Sequence, residues 1–190
     1  MSPASAEKHI TIHTDTGALL GSFLGEVQKL LDVVTLAFTG LEAATESQYD
    51  GTLAFFSFHP AADRRQPFPD VKRNCSQWLL SSFLSDSVDA AGMFLVECWE
   101  VCSFYRLSTR DVVFGADYLA VRGSGKKEFH SLGFPDKLKC LAEEFQVETP
   151  LGRHFLTMNK ARNCLVHRNG VVAKRDCNDV DVLTVEWRSL

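Results

Sequence analysis

What the sequence lacks excludes several chemistries. No uninterrupted run of about 18 apolar residues occurs in the 190-residue chain, so the pattern predicts no membrane span. The opening residues, Met1 to His9, have neither the basic start nor the apolar stretch of a signal peptide, so the expected location is cytoplasmic. CxxC spacing is absent. The six cysteines, Cys75, Cys98, Cys102, Cys140, Cys164 and Cys177, are scattered, which suggests neither a disulfide framework nor a zinc site and fits a reducing compartment. No metal and no cofactor is expected. The GxxxxGK, HExxH and GxSxG patterns are missing too, leaving P-loop, zincin and α/β-hydrolase chemistry without support. Tyrosine is scarce, three residues against fourteen Phe; phenylalanine has no polar tip, so most of these rings are expected in a core.

What is present reads as an ordinary globular chain. Hydrophobic residues make up 45% and charged residues 23%, which argues against disorder. There is no repeat and no low-complexity tract, and the length fits one domain over 1–190, with a core of about 15–170 and a C-terminal extension over 171–190. The net charge of −4 is unevenly spread. Residues 1–121 carry 8 Lys/Arg and 15 Asp/Glu, residues 122–175 carry 11 and 5, and residues 176–190 carry 1 and 4. The middle block is therefore positive, either an ordinary solvated face or an attraction for phosphate in an otherwise acidic protein.

Periodicity predicts an all-α, antiparallel bundle of four to five helices with a short β-like tail. Thr14-Asp15-Thr16 caps a first helix whose apolar face includes Leu19, Phe23, Val27, Leu30 and Val34, ending near Gly40 or Ala43-Ala44. Residues 47–70, with Gly51, Pro60, Pro67 and Pro69, read as a long connection, and Leu53–Phe58 within it fits either a strand or a helical turn. A long second helix begins between Asp70 and Ser76 and runs to about Tyr105. Its stripe is Leu80, Leu84, Ala91, Phe94, Cys98, Cys102 and Tyr105, with Trp78 and Trp99 widening it, so it should be buried on more than one side. Cys98 and Cys102 read there as small buried hydrophobes. A third helix after the Ser108–Asp111 cap should end near Arg122, because Gly123-Ser-Gly125 reads as a flexible loop. Pro135 opens a short helix to about Phe145. The last helix runs from near Pro150 to Gly170, and Val171-Val172 and Val180–Trp187 look strand-like.

On an ideal helix of about 100° per residue, Arg162 falls within the apolar stripe of Leu151, Phe155, Met158 and Leu165. A guanidinium there must snorkel, meet an acid, face a partner chain or line a pocket. Asn163 and His167 lie one turn apart on another face, close enough to hydrogen-bond. From the residues alone, Arg162 is as well explained by a structural ion pair and His167 by a C-terminal cap.

The segment Asn159-Lys-Ala-Arg-Asn-Cys-Leu-Val-His-Arg-Asn-Gly-Val-Val172 resembles the hallmark of HEPN domains: an Arg, four to six residues, then a His near the end of the last core helix. Arg162 and His167 match with four residues between them, and Asn163 matches the polar residue that commonly follows the Arg. The match covers about 14 residues, and the strand-like tail lies outside the family pattern. The resemblance implies a metal-independent endoribonuclease, a toxin or defence effector, acting on RNA at a composite site in a homodimer. In it His167 would serve as general acid or base, Arg162 would stabilise the phosphate, and Asn163 would orient the histidine or touch phosphate. Lys160, Arg168, Lys174 and Arg175 would hold the RNA backbone, and an antitoxin or system partner would accompany the enzyme. A second reading is a non-catalytic HEPN-like module that dimerises and binds a nucleotide, RNA or protein. A third is a structural or sensory domain in which Arg162 pairs with Glu143, Glu144 or Glu97 of its own chain.

Overall fold

The computed structural model describes residues 15–56, 66–108, 116–147, 149–150, 152–168, 170–177 and 183. Among these the chain is all-α. Six helices follow one another: α1 (Thr16–Ala43), α2 (Glu46–Phe56), α3 (Phe68–Ser108), α4 (Ala116–Ser131), α5 (Phe134–Phe145) and α6 (Gly152–Arg168), ending in a 3₁₀ turn over Lys174–Asp176. The expected helical bundle is present, with six helices instead of four or five and no strand among the described residues. Val171 and Val172 do not form a strand. The remainder of the strand-like tail, apart from residue 183, and the Ser108–Asp111 cap beyond Ser108 lie outside the described residues.

Local chemistry accounts for the boundaries. Asp15 caps α1, its Oδ1 accepting from the Ala18 N–H at 2.9 Å. Where a long connection is expected, α2 forms instead, because Thr45-Glu-Ser-Gln48 is a capping box. The Gln48 N–H donates to Thr45 Oγ1 at 3.4 Å and the Thr45 N–H to Gln48 Oε1 at 3.0 Å. α3 begins at Phe68, two residues before the earliest expected start, since Pro69 is tolerated in a first turn whose N–H groups have no helical partner. α5 opens on Pro135 and closes at Gln146, a non-glycine in left-handed backbone at φ 57°. After α6, Gly170 takes φ +83° and its N–H reaches the Cys164 carbonyl at 2.9 Å, a helix-ending geometry that suits glycine.

α3 is the spine. α1, α4, α5 and α6 all pack on it, and Tyr49 of α2 meets Phe68 at its start, with ring centroids 5.5 Å apart. Its deepest residues are Val88, Ala91, Gly92, Val96, Trp99 and Ser103. That stripe is rotated by roughly 100° from the expected one on an ideal helix. The expected stripe includes the contact with α1, where Phe94 stacks on Phe23 at 4.6 Å. The deeper face meets α4, α5 and α6. Leu80, Trp78 and Tyr105 are exposed, because the shorter helices cover only the middle of a 41-residue rod. Two core clusters form along it. Val88, Ala91, Phe134 and Leu138 make one; Val96, Trp99, Phe129 and Leu141 make the other; Leu95 touches both. Of the described phenylalanines only Phe129 and Phe134 are buried outright. The remainder whose exposure is described are half-buried, so most of the rings expected in a core lie at its margin.

α3 also corrects the expectation of no membrane-length segment. Residues 68–106 are long and apolar enough by length and composition to cross a membrane, since isolated polar residues interrupt the run without lowering its average. Four helices pack along the rod, and about 28% of its most apolar window is buried inside the fold.

The second correction concerns α4, which continues through Gly123-Ser124-Gly125 to Ser131. Gly125 is a packing residue, not a breaker: a Cβ there would lie 2.8 Å from Trp99 Cη2. Its bare backbone admits the indole, which stacks on Phe129 at 5.5 Å and meets the Phe145 edge at 6.5 Å. Lys126 pairs with Glu100 alongside. Gly123, by contrast, has nothing within 4 Å of its would-be Cβ. The two glycines should therefore respond oppositely. Gly123→Ala removes a helix-interior glycine and should raise the melting temperature by about 2 °C. Gly125→Val forces a side chain into the indole and should lower it by about 4–8 °C, an overpacking cost near 2 kcal/mol. Thermal unfolding followed by circular dichroism measures both, and equal effects would contradict the assignment.

Candidate functional site

α6 carries the sequence motif, and its two faces have different environments. Phe155, Asn159 and Arg162, four and three residues apart, lie on the side toward α3 and α5. Cys164 and Arg168, one turn apart, face the 3₁₀ turn. His167 lies between these faces and is exposed.

Arg162 lines an open cleft of about 290 Å³ between α3, α5 and α6. Its Nη2 donates to Asp89 Oδ1 at 3.3 Å, its Nε to Ser85 Oγ at 3.4 Å and its Nη1 to Asn163 Oδ1 at 3.3 Å. The Arg162 side chain is 22% exposed and Asp89 63%, so this pair contributes at most about 1 kcal/mol and holds orientation more than it holds the fold. The acid is Asp89, not Glu143, Glu144 or Glu97. Arg162 faces the middle of α3, whereas Glu143 pairs with Lys139 and Glu144 with Arg106 on the solvent side of α5. The expected Asn163–His167 hydrogen bond is not made, because Asn163 Oδ1 serves Arg162. Among the described residues His167 has no hydrogen bond or ion pair, and the chain does not bring it into the cleft with Arg162.

The four lysines and arginines expected on RNA divide. Lys160 is half-buried and Lys174 and Arg175 are exposed, and none makes an ion pair among the described residues. Arg168 departs from the expectation. Its Nη1 is paired with Asp176 Oδ2, its Nη2 reaches Cys164 Sγ at 3.4 Å, and its side chain is 19% exposed. The carboxylate also accepts the Ala173 N–H at 2.8 Å. This guanidinium fastens the 3₁₀ turn to α6 and is not free for a phosphate backbone. The Arg168 hydrogen bond, aided by Ala173, holds the Asp176 carboxyl down at about 2.

The cleft gathers residues that the motif does not contain. Lys137 of α5 is buried at 9% exposure and Asn159 at 8%, and neither side chain has a hydrogen bond or ion pair among the described residues. Burial pushes the Lys137 ammonium below the usual lysine range, and Asp89 opposes that shift. His130, in the last turn of α4, stands at the mouth, and Val88, Leu132 and Phe134 supply the apolar wall. Lys137 was findable in the sequence, since it occupies the stripe Phe134, Leu138 and Leu141 as Arg162 occupies its own. Asn159 had the same signal, one turn after Phe155. Asp89 had none, because only the fold brings α3 opposite α6.

Four of the thiols, Cys98, Cys102, Cys140 and Cys164, are pushed toward the protonated form. Burial pushes the Cys98 thiol up to about 11, with Cys102 and Glu97 adding to it. Burial and the hydrogen bond to Glu144 hold Cys140 at about 11. Cys164 is likewise raised by burial. Among the described residues no group of three His, Cys, Asp or Glu side chains gathers as for a metal ion. Comparison with protein-family models, curated proteins and solved structures finds no match.

The Arg168–Asp176 contact has a signed pH dependence. A carboxyl held below its ordinary value contributes stability that is complete above about pH 4 and is lost as pH falls toward about 2. Asp176→Asn should therefore melt below the wild type at neutral pH, with a constant gap down to about pH 5. The gap should close between about pH 4 and pH 2. A gap unchanged by acid would mean that the carboxylate charge is irrelevant to closing the turn.

Proposed function

We propose that this chain is a HEPN-like helical module that binds RNA phosphate, with Arg162 as the oriented phosphate ligand and Lys160, Lys174 and Arg175 along the backbone path. The observation supporting binding over turnover is the Asp89–Arg162 contact. It fixes the guanidinium within one chain and leaves His167 outside the same cleft. A single contact to a largely exposed carboxylate, worth at most about 1 kcal/mol, can be exchanged for an RNA phosphodiester, which carries the same single negative charge and offers the guanidinium two free oxygens.

The endoribonuclease is the second reading, favoured by the exposure of His167 and its lack of a partner among the described residues. It requires a second copy to bring a histidine to an arginine. No residue of α1 is buried in the chain, and Leu24, Leu31 and Leu36 are exposed along it, which supports a homodimer. There His167 would move the proton of a ribose 2′-hydroxyl as it attacks the adjacent phosphorus, and Arg162 would carry the charge developing on the phosphate. A toxin or defence role, an antitoxin partner and a cytoplasmic setting accompany this reading.

Fluorescence anisotropy with labelled single-stranded RNA separates the two. Binding without cleavage is expected, with affinity falling as salt rises by about 0.7 in log–log slope per phosphate neutralised. The Lys174→Glu/Arg175→Glu double variant should weaken it about tenfold or more, whereas His167→Ala should leave affinity within about twofold. RNA cleavage that persists in EDTA and disappears in His167→Ala would replace the binding reading with the enzyme. RNA affinity indifferent to both salt and the double variant would remove it.

A further inference from the structure

The cleft holds more charge than its own pairing explains. Two cationic side chains, Lys137 and Arg162, face one acid, Asp89, which is in direct contact with Arg162 alone. Lys137 is 9% exposed with no hydrogen bond or ion pair among the described residues, and its ammonium keeps contact with the open cleft. Asn159 repeats the pattern with a neutral group: a carboxamide at 8% exposure, lining the same space and bonded to nothing described. Both groups stand ready to donate into the cleft. The backbone is cut back there too, since a Cβ on Gly92 of α3 would lie 3.9 Å from Lys137 Nζ and 3.9 Å from Phe134 Cδ2.

We infer that this cleft binds a phosphomonoester of mononucleotide size. Lys137 and Arg162 clasp the phosphate, Asn159 donates to a third oxygen, and the wall of Val88 and Phe134 receives the apolar or aromatic body. The charges favour an anion: with Asp89 in place the cleft carries one net positive charge, and a phosphomonoester, at about −1.5 to −2 at neutral pH, adds three oxygens to share among the donors once Arg162 turns from Asp89 to it. A metal cation would meet two like charges. The volume of about 290 Å³ falls at the lower end of ligand pockets, enough for one nucleotide unit and not for a folded polymer. His130 at the mouth is placed beside the phosphate or the sugar. This inference shares with the RNA-binding reading only the role of Arg162 as a phosphate ligand; Lys137 and Asn159 belong to the cleft alone.

The test is calorimetric titration of the full chain with AMP, with adenosine and with a short RNA bearing or lacking a 5′-phosphate. Heat and a raised melting temperature with AMP, but not with adenosine, are expected. Lys137→Met should weaken AMP binding about tenfold or more, as expected for loss of a charged donor. The same substitution keeps a long apolar stem and removes a charge that faces the open cleft, so the ligand-free variant should melt within about 2 °C of the wild type, which separates lost binding from lost folding. Asn159→Ala should weaken AMP by a smaller factor. RNA affinity that falls in Lys174→Glu/Arg175→Glu while AMP affinity holds would show that the RNA path runs beyond the AMP site, the two meeting at Arg162. If only the 5′-phosphorylated RNA binds, and Lys137→Met abolishes that preference, the phosphomonoester site stands with an RNA end as its source. Adenosine binding as tightly as AMP, or Lys137→Met binding AMP as tightly as wild type, overturns the assignment. Silence toward AMP and phosphorylated RNA alike overturns it without touching the RNA-backbone reading.

Discussion

The middle of α3 bears the packing on which the other helices depend. From Val88 to Ser103 it presents one deep face to α4, α5 and α6 and another side to α1. Val96 and Leu141, each 1% exposed, mark the tightest part of that contact, and burying a large apolar side chain contributes about 1.5–3 kcal/mol. Leu95 touches both core clusters, so displacement of α4 or α5 along the rod disturbs the two together. The close approach of α4 depends on a missing side chain at Gly125, which lets Trp99 sit between Phe129 and Phe145. The same registry that seats the indole carries His130, five residues after Gly125 on α4, to the mouth of the cleft.

That rigidity lets a costly polar group persist. Phe134 and Leu138 anchor α5 in the first core cluster, and Lys137, between them, is carried inward whether or not it has a partner. An exposed turn would let such a lysine swing to water; a helix pinned on both sides does not. Asp89 is too exposed and too committed to Arg162 to neutralise it fully. Arg168 makes the contrast clear. It lies on α6 and is also a largely covered cation, but it meets a buried carboxylate that closes the chain turn upon it.

Much of the bundle was legible because its signals are local. Asp15 capping α1, Pro135 opening α5 and Gly170 closing α6 each act within a few residues, and the structure uses them as the sequence implies. The Thr45–Gln48 capping box was equally local, and the prolines and glycine that follow it masked the helix it starts. Gly123-Ser-Gly125 misleads for a different reason. Glycine weakens an isolated helix by about 1 kcal/mol per residue, but a tertiary contact that needs the missing Cβ reverses the meaning of that preference. The stripe on α3 was misplaced by a quarter turn because an apolar residue facing α1 and one facing α5 look alike in one dimension. In the site, Arg162 announces itself as a charge in an apolar row. Its partner Asp89, 73 residues away, is a property of helix packing and has no signature in the chain.

Helical geometry then decides how the motif must be understood. Five residues advance roughly 140° around an ideal helix, and α6 is regular from Gly152 to Arg168. Arg162 and His167 are therefore sent to different environments by the same regularity that buries Cys164 between them. One phosphate cannot be reached by both from a single copy unless the last turn unwinds. That turn is secured by the Gly170 N–H on the Cys164 carbonyl and by Arg168 on Asp176. The closure of α6 and catalysis within one chain thus oppose each other. An intact α6 keeps Arg162 with the residues of its own cleft and leaves His167 at the exposed helix end.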